Sequence, residues 1–125
     1  QTLRSLLRWS AEKEPFLCGF ISDQRPYVKA KDCTTFLNQQ TWFAPGAEEI
    51  AKKVNAELVY LNVERPVRGH YRFTFKEMHV PAEFGECRFP LTLSFFRMLE
   101  DNVKQQPELW LWSHNRWEKW DLANY

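Results

Sequence analysis

The sequence predicts a single α/β domain, because strand-like and helix-like hydrophobic patterns alternate along its 125 residues. Residues 16–21 form an unbroken apolar run of strand length, which is typical of a strand covered on both faces. Residues 46–55 carry apolar side chains at helical spacing, and residues 58–65 return to a strand pattern. We therefore expect a layered fold over residues 1–125, in which a mixed sheet with an antiparallel hairpin packs against helices.

Three amphipathic helices are predicted. The first has leucines on one face and ends before Pro15. The second covers residues 46–55, and its polar face consists of charged side chains four residues apart, namely Glu48, Glu49, Lys52 and Lys53. The third covers residues 92–106, with Thr92 as its N-cap and with Pro107 as its stop. Its core-facing side chains are Phe95, Phe96, Leu99 and Val103.

Two neighbouring strand patterns predict a hairpin. Residues 58–65 and residues 71–76 are separated by a turn that contains Pro66 and Gly69. In the second strand, aromatic residues alternate with polar ones, and we expect the aromatic side to pack inward: Tyr71, Phe73 and Phe75. Residues 24–45 have no clear period, so they are predicted to form a long loop.

Composition argues against several classes of function. The formal net charge is +1, so the whole molecule has no strong electrostatic attraction to nucleic acid. The three cysteines include no Cys-x-x-Cys pair, which argues against a disulfide framework or a zinc ribbon and fits a reducing compartment. No apolar stretch reaches the roughly 18 to 20 residues that cross a bilayer, and the three histidines lack metal-site spacing. We therefore expect a soluble chain with no cofactor.

Asp23 and Gln24 directly follow the first predicted strand. In open α/β sheets ligands collect beyond the carboxyl ends of strands, where a carboxylate and an amide can orient a substrate hydroxyl or hold a catalytic partner. An aspartate here can equally begin a turn by accepting hydrogen bonds from nearby backbone amides. The residues alone leave both interpretations open.

Thr41 ends a polar run over residues 38–41, shortly before the predicted second helix. The free N–H groups at the start of a helix can bind an anion such as phosphate. A structural loop that packs Trp42 and Phe43 explains the same residues more simply, because the Gly-rich pattern of a phosphate-binding loop is missing.

Arg65, Arg68 and Arg72 lie at or near the predicted hairpin turn. Three guanidinium groups can bind a phosphorylated disaccharide or an acidic carrier protein through charge-assisted hydrogen bonds. A solvated edge that discourages strand pairing accounts for them equally well.

Three stretches together carry a resemblance to a known family. They are Ser-Asp-Gln-Arg-Pro at residues 22–26, the run at residues 36–41 with the helix after it, and the last helix, which leads through Pro107 into the tryptophan-rich residues 108–120. They resemble the lipid A biosynthesis acyltransferases, the lauroyl and myristoyl transferases that complete lipopolysaccharide. The resemblance covers nearly the whole chain, but only the C-terminal part of such an enzyme.

The resemblance implies a glycerolipid-acyltransferase-like fold in an enzyme on the cytoplasmic face of the inner membrane. Such an enzyme transfers a fatty acyl chain from the thioester of an acyl carrier protein to a hydroxyl of a lipid A precursor. It implies Asp23 as a supporting catalytic residue. The resemblance also favours Arg65, and the stretch with Thr41, for substrate binding. With Gln24 and Arg68, which are chosen for their positions after a strand and at the hairpin turn, they are the predicted substrate-binding residues.

The family's catalytic base, a His-x-x-x-x-Asp/Glu pair, has no counterpart in this sequence. Five positions after its histidines, His70, His79 and His114, stand Phe75, Phe84 and Lys119, none of which is acidic. We therefore expect a C-terminal fragment that is inactive alone. The alternative is a noncatalytic module that binds a glycolipid or a protein through exposed aromatic residues and arginines.

The tryptophans near the C-terminus allow two interpretations. Trp110, Trp112, Trp117 and Trp120 either form a belt that seats the parent enzyme on the inner-membrane surface or cap the hydrophobic core. We expect at least one pair of them to be buried.

Overall fold

The computed structural model describes residues 2–26 and 30–117. These residues form three α-helices, two β-hairpins and two short 3-10 helices, at Ala82–Phe84 and Pro107–Leu109. In chain order the main elements are α1 (Thr2–Ala11), β1 (Asp32–Phe36), β2 (Gln39–Phe43), α2 (Gly46–Val54), β3 (Val59–Val67), β4 (His70–Glu77) and α3 (Pro90–Gln105).

The predicted α/β class is confirmed, but the described strands pair as two separate antiparallel hairpins, β1–β2 and β3–β4, rather than in a single mixed sheet. The predicted strand at residues 16–21 is wrong, because these residues adopt no regular secondary structure. A strand needs a neighbour that supplies backbone hydrogen bonds, and no described strand lies beside this segment. Leu17 and Ile21 are therefore 82% and 83% exposed instead of buried.

The β1–β2 hairpin lies where the sequence predicted a long loop, so that prediction is wrong in its second half. Two residues form the turn, Leu37 with φ 49° and Asn38 with φ 60°, and positive φ at both positions is what a type I′ hairpin turn requires. Phe36 and Phe43 on the two strands are buried. Burial of these two rings in the hydrophobic core stabilises the hairpin.

The β3–β4 hairpin confirms the second pair of predicted strands, but the predicted direction of its aromatic side is wrong. Its register places Leu61 opposite Phe75 and Val63 opposite Phe73, so these side chains share one face. Phe73 and Phe75 are 62% and 64% exposed on that face. The hairpin packs through the other face of β3, where Tyr60 and Asn62 are buried.

The hydrophobic core lies between the β1–β2 hairpin and α3. Its buried members are Phe36, Phe43, Phe89, Phe96 and Val103. The Phe36 ring meets the Phe96 ring edge-on with 5.7 Å between centroids, and Trp110 and Trp117 also pack against Phe36 at 5.6 and 6.0 Å. Trp110 and Trp117 thus cover the core, although they are partly and not fully buried, while Trp112 is exposed and Trp120 lies outside the described residues.

Two details of the predicted helices need correction. α3 begins at Pro90, so Thr92 lies within its first turn and is not the N-cap. Glu48 was assigned to the polar face of α2, yet it is fully buried. It faces the first turn of α3, which supplies hydrogen bonds that solvent would otherwise provide.

Candidate functional site

A groove of about 1000 Å3 is lined by residues 14–23 and by parts of α2, β3 and α3. Most of its wall is apolar, with side chains such as Leu17, Leu61, Phe75, Phe95 and Leu99. Among the polar residues that line it are Ser22, Asp23, Glu48, Tyr60, Thr92, Asn102 and Gln106. A concave apolar surface with a few polar groups is the usual form of a binding site.

Asp23 is half-buried in this wall, and its backbone is held by Arg116. Arg116 Nε donates to the Asp23 carbonyl at 2.9 Å, and Nη2 donates to the Trp42 carbonyl at 2.8 Å. Burial lowers the pKa of Arg116, and the negative charge of Asp23 opposes that change. The guanidinium therefore fixes the segment that carries Asp23 to the end of β2.

Tyr60 faces the groove from β3 as a hydrogen-bond donor. Its hydroxyl donates to Asn102 Oδ1 at 2.8 Å. Burial raises the pKa of Tyr60 to about 12, and the negative charges of Asp23 and Asp101 add to the increase. The phenol is therefore neutral at physiological pH, and it is suited to orienting a group rather than to removing a proton.

Two side chains at the C-terminal end of α3, those of Asn102 and of the C-cap residue Gln106, bind one edge of β3. Asn102 Nδ2 donates to the Val63 carbonyl at 3.2 Å. One turn later, Gln106 Oε1 accepts from the Arg65 N–H at 2.8 Å and Gln106 Nε2 donates to the Arg65 carbonyl at 3.3 Å. The side-chain amides thus replace part of a neighbouring strand along this edge.

Glu48 is a buried carboxylate in the groove wall, and Lys52 Nζ lies 2.9 Å from its Oε1. Glu48 Oε1 has no hydrogen-bond partner among the described residues, so its contact with Lys52 is an ion pair. Burial by itself would raise the pKa of Glu48. The contacts with Lys52 and the hydrogen bonds from Thr92 outweigh burial and hold the pKa of Glu48 below its ordinary value.

The predicted site residues lie in different surroundings. Asp23 lines the groove, whereas Gln24 is exposed beside it. Arg68 is exposed in the β3–β4 turn, and Arg65 lies 3.5 Å from Glu108 in a partly exposed ion pair. Thr41 is 1% exposed, and its hydroxyl donates to the Gln39 carbonyl and accepts from Trp117 Nε1. Substrate binding by these residues stays a prediction.

Sequence reasoning missed Tyr60, Asn102, Glu48 and Arg116. One signal was present for Asn102, a polar residue seven positions after Phe95 on the apolar face of a helix. A polar residue on such a face has to find a buried partner. Arg116 and Glu48 gave no comparable signal, because their partners are distant in sequence. Arg116 binds backbone carbonyls, and Glu48 binds the first turn of α3.

Residues 2–26 and 30–117 contain no group of three or more His, Cys, Asp or Glu side chains that could hold a metal ion. In the same part of the chain, no helix combines the length and the apolar character needed to cross a bilayer.

Comparison with known proteins identifies the family to which this chain belongs. The model of the bacterial lipid A biosynthesis acyltransferase family matches residues 2–119. The chain therefore belongs to this family, as its sequence motifs predicted. No curated protein and no solved structure gives a significant match.

Proposed function

We propose that the chain is the C-terminal part of an enzyme that transfers a fatty acyl chain from acyl carrier protein to a hydroxyl of a lipid A precursor. The family match over residues 2–119 is the observation that carries this proposal. The proposed enzyme works on the cytoplasmic face of the inner membrane, where the lipid acceptor and the soluble acyl donor meet.

Proton removal from the acceptor hydroxyl is the step that we assign to residues outside this chain. The sequence contains no His-x-x-x-x-Asp/Glu pair, and the Tyr60 phenol has its pKa raised to about 12 and cannot replace one. A general base contributes about 10²- to 10⁴-fold to the rate. We propose that residues upstream of this chain supply the base, and that this chain supplies part of the groove wall around it.

Asp23 is the residue of this chain that we propose to act near the acceptor. It lines the groove, and Arg116 fixes its backbone while leaving its carboxylate free of that hydrogen bond. A carboxylate held in this way can orient a hydroxyl or the imidazolium that forms when a base takes a proton. Asp23 is thus proposed as a supporting group and not as the base.

The test is acyl transfer from acyl carrier protein to a lipid A precursor, followed by mass spectrometry of the lipid. We expect transfer by the full-length parent enzyme and none by the 125-residue chain. In the full-length enzyme, Asp23→Asn should lower kcat, while Asp101→Asn should not; Asp101 is an exposed matched control whose charge also acts on Tyr60. Acyl transfer by the 125-residue chain would contradict the proposal that the base lies outside this chain.

A noncatalytic binding module is the second candidate function. The exposed rings of Tyr71, Phe73 and Phe75 favour it, together with the exposed side chains of Arg68 and Arg72 at the same hairpin. This candidate predicts that the 125-residue chain alone binds vesicles that contain lipid A. It also predicts that a full-length parent with acyltransferase activity does not exist.

A further inference from the structure

Residues 16–23 line the groove without belonging to a helix or a strand. The described residues make no backbone–backbone hydrogen bond with them. A segment without such hydrogen bonds has few restraints on its backbone, so it opens at a low cost in free energy. Asp23 lies at the end of this segment, and its position therefore depends on contacts from distant parts of the chain.

Arg116 supplies such a contact from 93 positions later in the sequence. Its guanidinium donates to the Asp23 carbonyl and also to the carbonyl of Trp42, which belongs to β2. The β1–β2 hairpin is in turn anchored in the core by the buried rings of Phe36 and Phe43. The guanidinium thus joins a weakly restrained segment to a well-packed hairpin.

The Arg116 side chain is itself restrained on several sides. It is 3% exposed, and its Cζ lies 5.8 Å from the centre of the Phe96 ring in the core. The next residue, Trp117, stacks on Phe36 and donates from Nε1 to the Thr41 hydroxyl. A planar guanidinium that is packed in this way is a fixed reference point for the two carbonyls that it binds.

Both hydrogen bonds from Arg116 go to carbonyls rather than to the Asp23 carboxylate, although the negative charge of Asp23 acts on the guanidinium. Arginine commonly binds a carboxylate through two parallel hydrogen bonds. In this chain these two hydrogen bonds hold the backbone instead. They therefore restrain the place of the carboxylate without occupying its oxygens.

We propose that Arg116 is a positioning residue for acyl transfer, which sets where the Asp23 carboxylate stands in the groove wall. This inference rests on the proposed function, in which Asp23 orients the acceptor hydroxyl or the base. Misplacement of a group by about 1 Å can lower a rate by about 10²-fold, so a residue that fixes the Asp23 backbone acts on the rate through Asp23. A residue that only stabilised the fold would act independently of Asp23.

Arg116→Lys is the variant that separates position from charge. Lysine keeps a positive charge near Asp23, but its single ammonium group cannot bind both carbonyls with the geometry of the guanidinium. Phe36→Leu is the matched control for a loss of stability. It weakens the core at a side chain that does not line the groove, and it leaves both hydrogen bonds of Arg116 in place.

Proteolysis of the 125-residue chain measures the restraint on Asp23 without an assay of acyl transfer. Endoproteinase Asp-N cuts before aspartate, so it reports the opening of the chain at the bond between Ser22 and Asp23. We expect Arg116→Lys to raise cleavage at this bond about 10-fold, while cleavage before Asp101 in α3 stays slow. Phe36→Leu should not raise cleavage before Asp23 selectively. Equal cleavage before Asp23 in Arg116→Lys and in the unmodified chain would overturn the inference.

A double-mutant cycle in the full-length enzyme tests the effect on the reaction. We expect Arg116→Lys and Asp23→Asn each to lower kcat by about 10- to 100-fold with little change in KM. The double variant should be no slower than Asp23→Asn alone, because residues that act through one another are not additive. Phe36→Leu should leave kcat unchanged under conditions in which it is folded. An unchanged kcat for Arg116→Lys, or two losses that simply multiply, would overturn the inference.

The same measurements distinguish failure of this inference from failure of the proposed function. Acyl transfer that is lowered by Asp23→Asn but not by Arg116→Lys refutes this inference alone. Acyl transfer that Asp23→Asn leaves unchanged overturns both the role assigned to Asp23 and the role assigned to Arg116. The absence of acyl transfer by the full-length enzyme refutes the proposed function, and with it the part of Arg116 in that reaction.

Discussion

Glu48 on α2 caps the first turn of α3 by accepting two hydrogen bonds from Thr92. The Thr92 N–H and the Thr92 hydroxyl both donate to Glu48 Oε2, each at 2.8 Å. The first N–H groups of a helix have no partner within the helix, and a negative charge there also interacts favourably with the helix dipole. A carboxylate from one helix therefore supplies the cap that the N-cap residue Phe89 lacks.

Replacing this carboxylate should destabilise the chain. We expect Glu48→Gln to lower the free energy of unfolding by about 1–3 kcal/mol, because it removes the charge from a buried hydrogen-bonded site. Glu49→Gln is the matched control, since Glu49 lies one residue later and is exposed. Its effect should stay within about 0.5 kcal/mol. Urea denaturation measures both values, and equal effects would show that the cap adds nothing.

The same carboxylate predicts a dependence of stability on pH. The pKa of Glu48 is lowered in the folded chain and returns to its ordinary value of 4.5 on unfolding. Its stabilisation is therefore fully present above pH 4.5 and is lost as the pH falls through the lowered folded pKa. The difference in unfolding free energy between the unmodified chain and Glu48→Gln should shrink over that acidic range. A difference that stays constant would contradict the assignment.

Tyr60 predicts a second pH effect, at the alkaline end. Its pKa rises from 10.0 to about 12 on folding, first through burial and then through the charges of Asp23 and Asp101. Because the folded pKa is the higher one, this stabilisation is complete below pH 10.0 and is lost as the pH rises through about 12. Ultraviolet titration of tyrosinate should therefore show a transition near pH 12, and Tyr60→Phe should remove it. A late transition that persists in Tyr60→Phe would assign it to another tyrosine.

Arg116 joins two segments that are distant in sequence, and a lysine cannot replace it. A lysine carries a single ammonium group, so it cannot reach both the Asp23 and the Trp42 carbonyls with the geometry of the guanidinium. We expect Arg116→Lys to lower the free energy of unfolding by about 1–3 kcal/mol, because one partly buried carbonyl loses its partner.

Arg97→Lys provides the matched control for Arg116→Lys. Arg97 forms an exposed ion pair with Glu83, and surface pairs contribute at most about 1 kcal/mol. Chemical denaturation of the two variants should therefore give clearly different midpoints. A loss for Arg116→Lys as small as the loss for Arg97→Lys would show that the two carbonyls are solvated in solution.

The elements that the sequence predicted are those with strong local patterns. α2 and the β3–β4 hairpin follow from hydrophobic periodicity together with a turn at Gly69, whose φ of 81° suits glycine. The β1–β2 hairpin escaped prediction because its alternation is short. Its turn signal was Asn38 preceded by Leu37, a residue that rarely adopts positive φ.

The predictions that failed depend on contacts that no local pattern encodes. Residues 16–21 have the composition of a buried strand, yet pairing requires a neighbour that the described residues do not provide. Alternation in β4 correctly identified two different faces, but not which face the rest of the chain would cover. The burial of Glu48 depends on α3, more than 40 residues later in the sequence. Of the predicted site residues, only the groove position of Asp23 followed from the end of the apolar run.

The exposed face of the β3–β4 hairpin gives the last prediction. Phe73 is 62% exposed, so Phe73→Thr removes little buried area, and threonine keeps a high strand propensity. We expect it to change the free energy of unfolding of the 125-residue chain by less than about 0.5 kcal/mol. By contrast, Phe36→Ala in the core should cost about 3–5 kcal/mol. An exposed apolar face of this kind also predicts that the chain self-associates. Sedimentation equilibrium should show weaker self-association for Phe73→Thr, because the apolar face is smaller. Thr74→Ala, on the opposite face, should leave self-association unchanged, and a large loss of stability for Phe73→Thr would mean that this face is packed in solution.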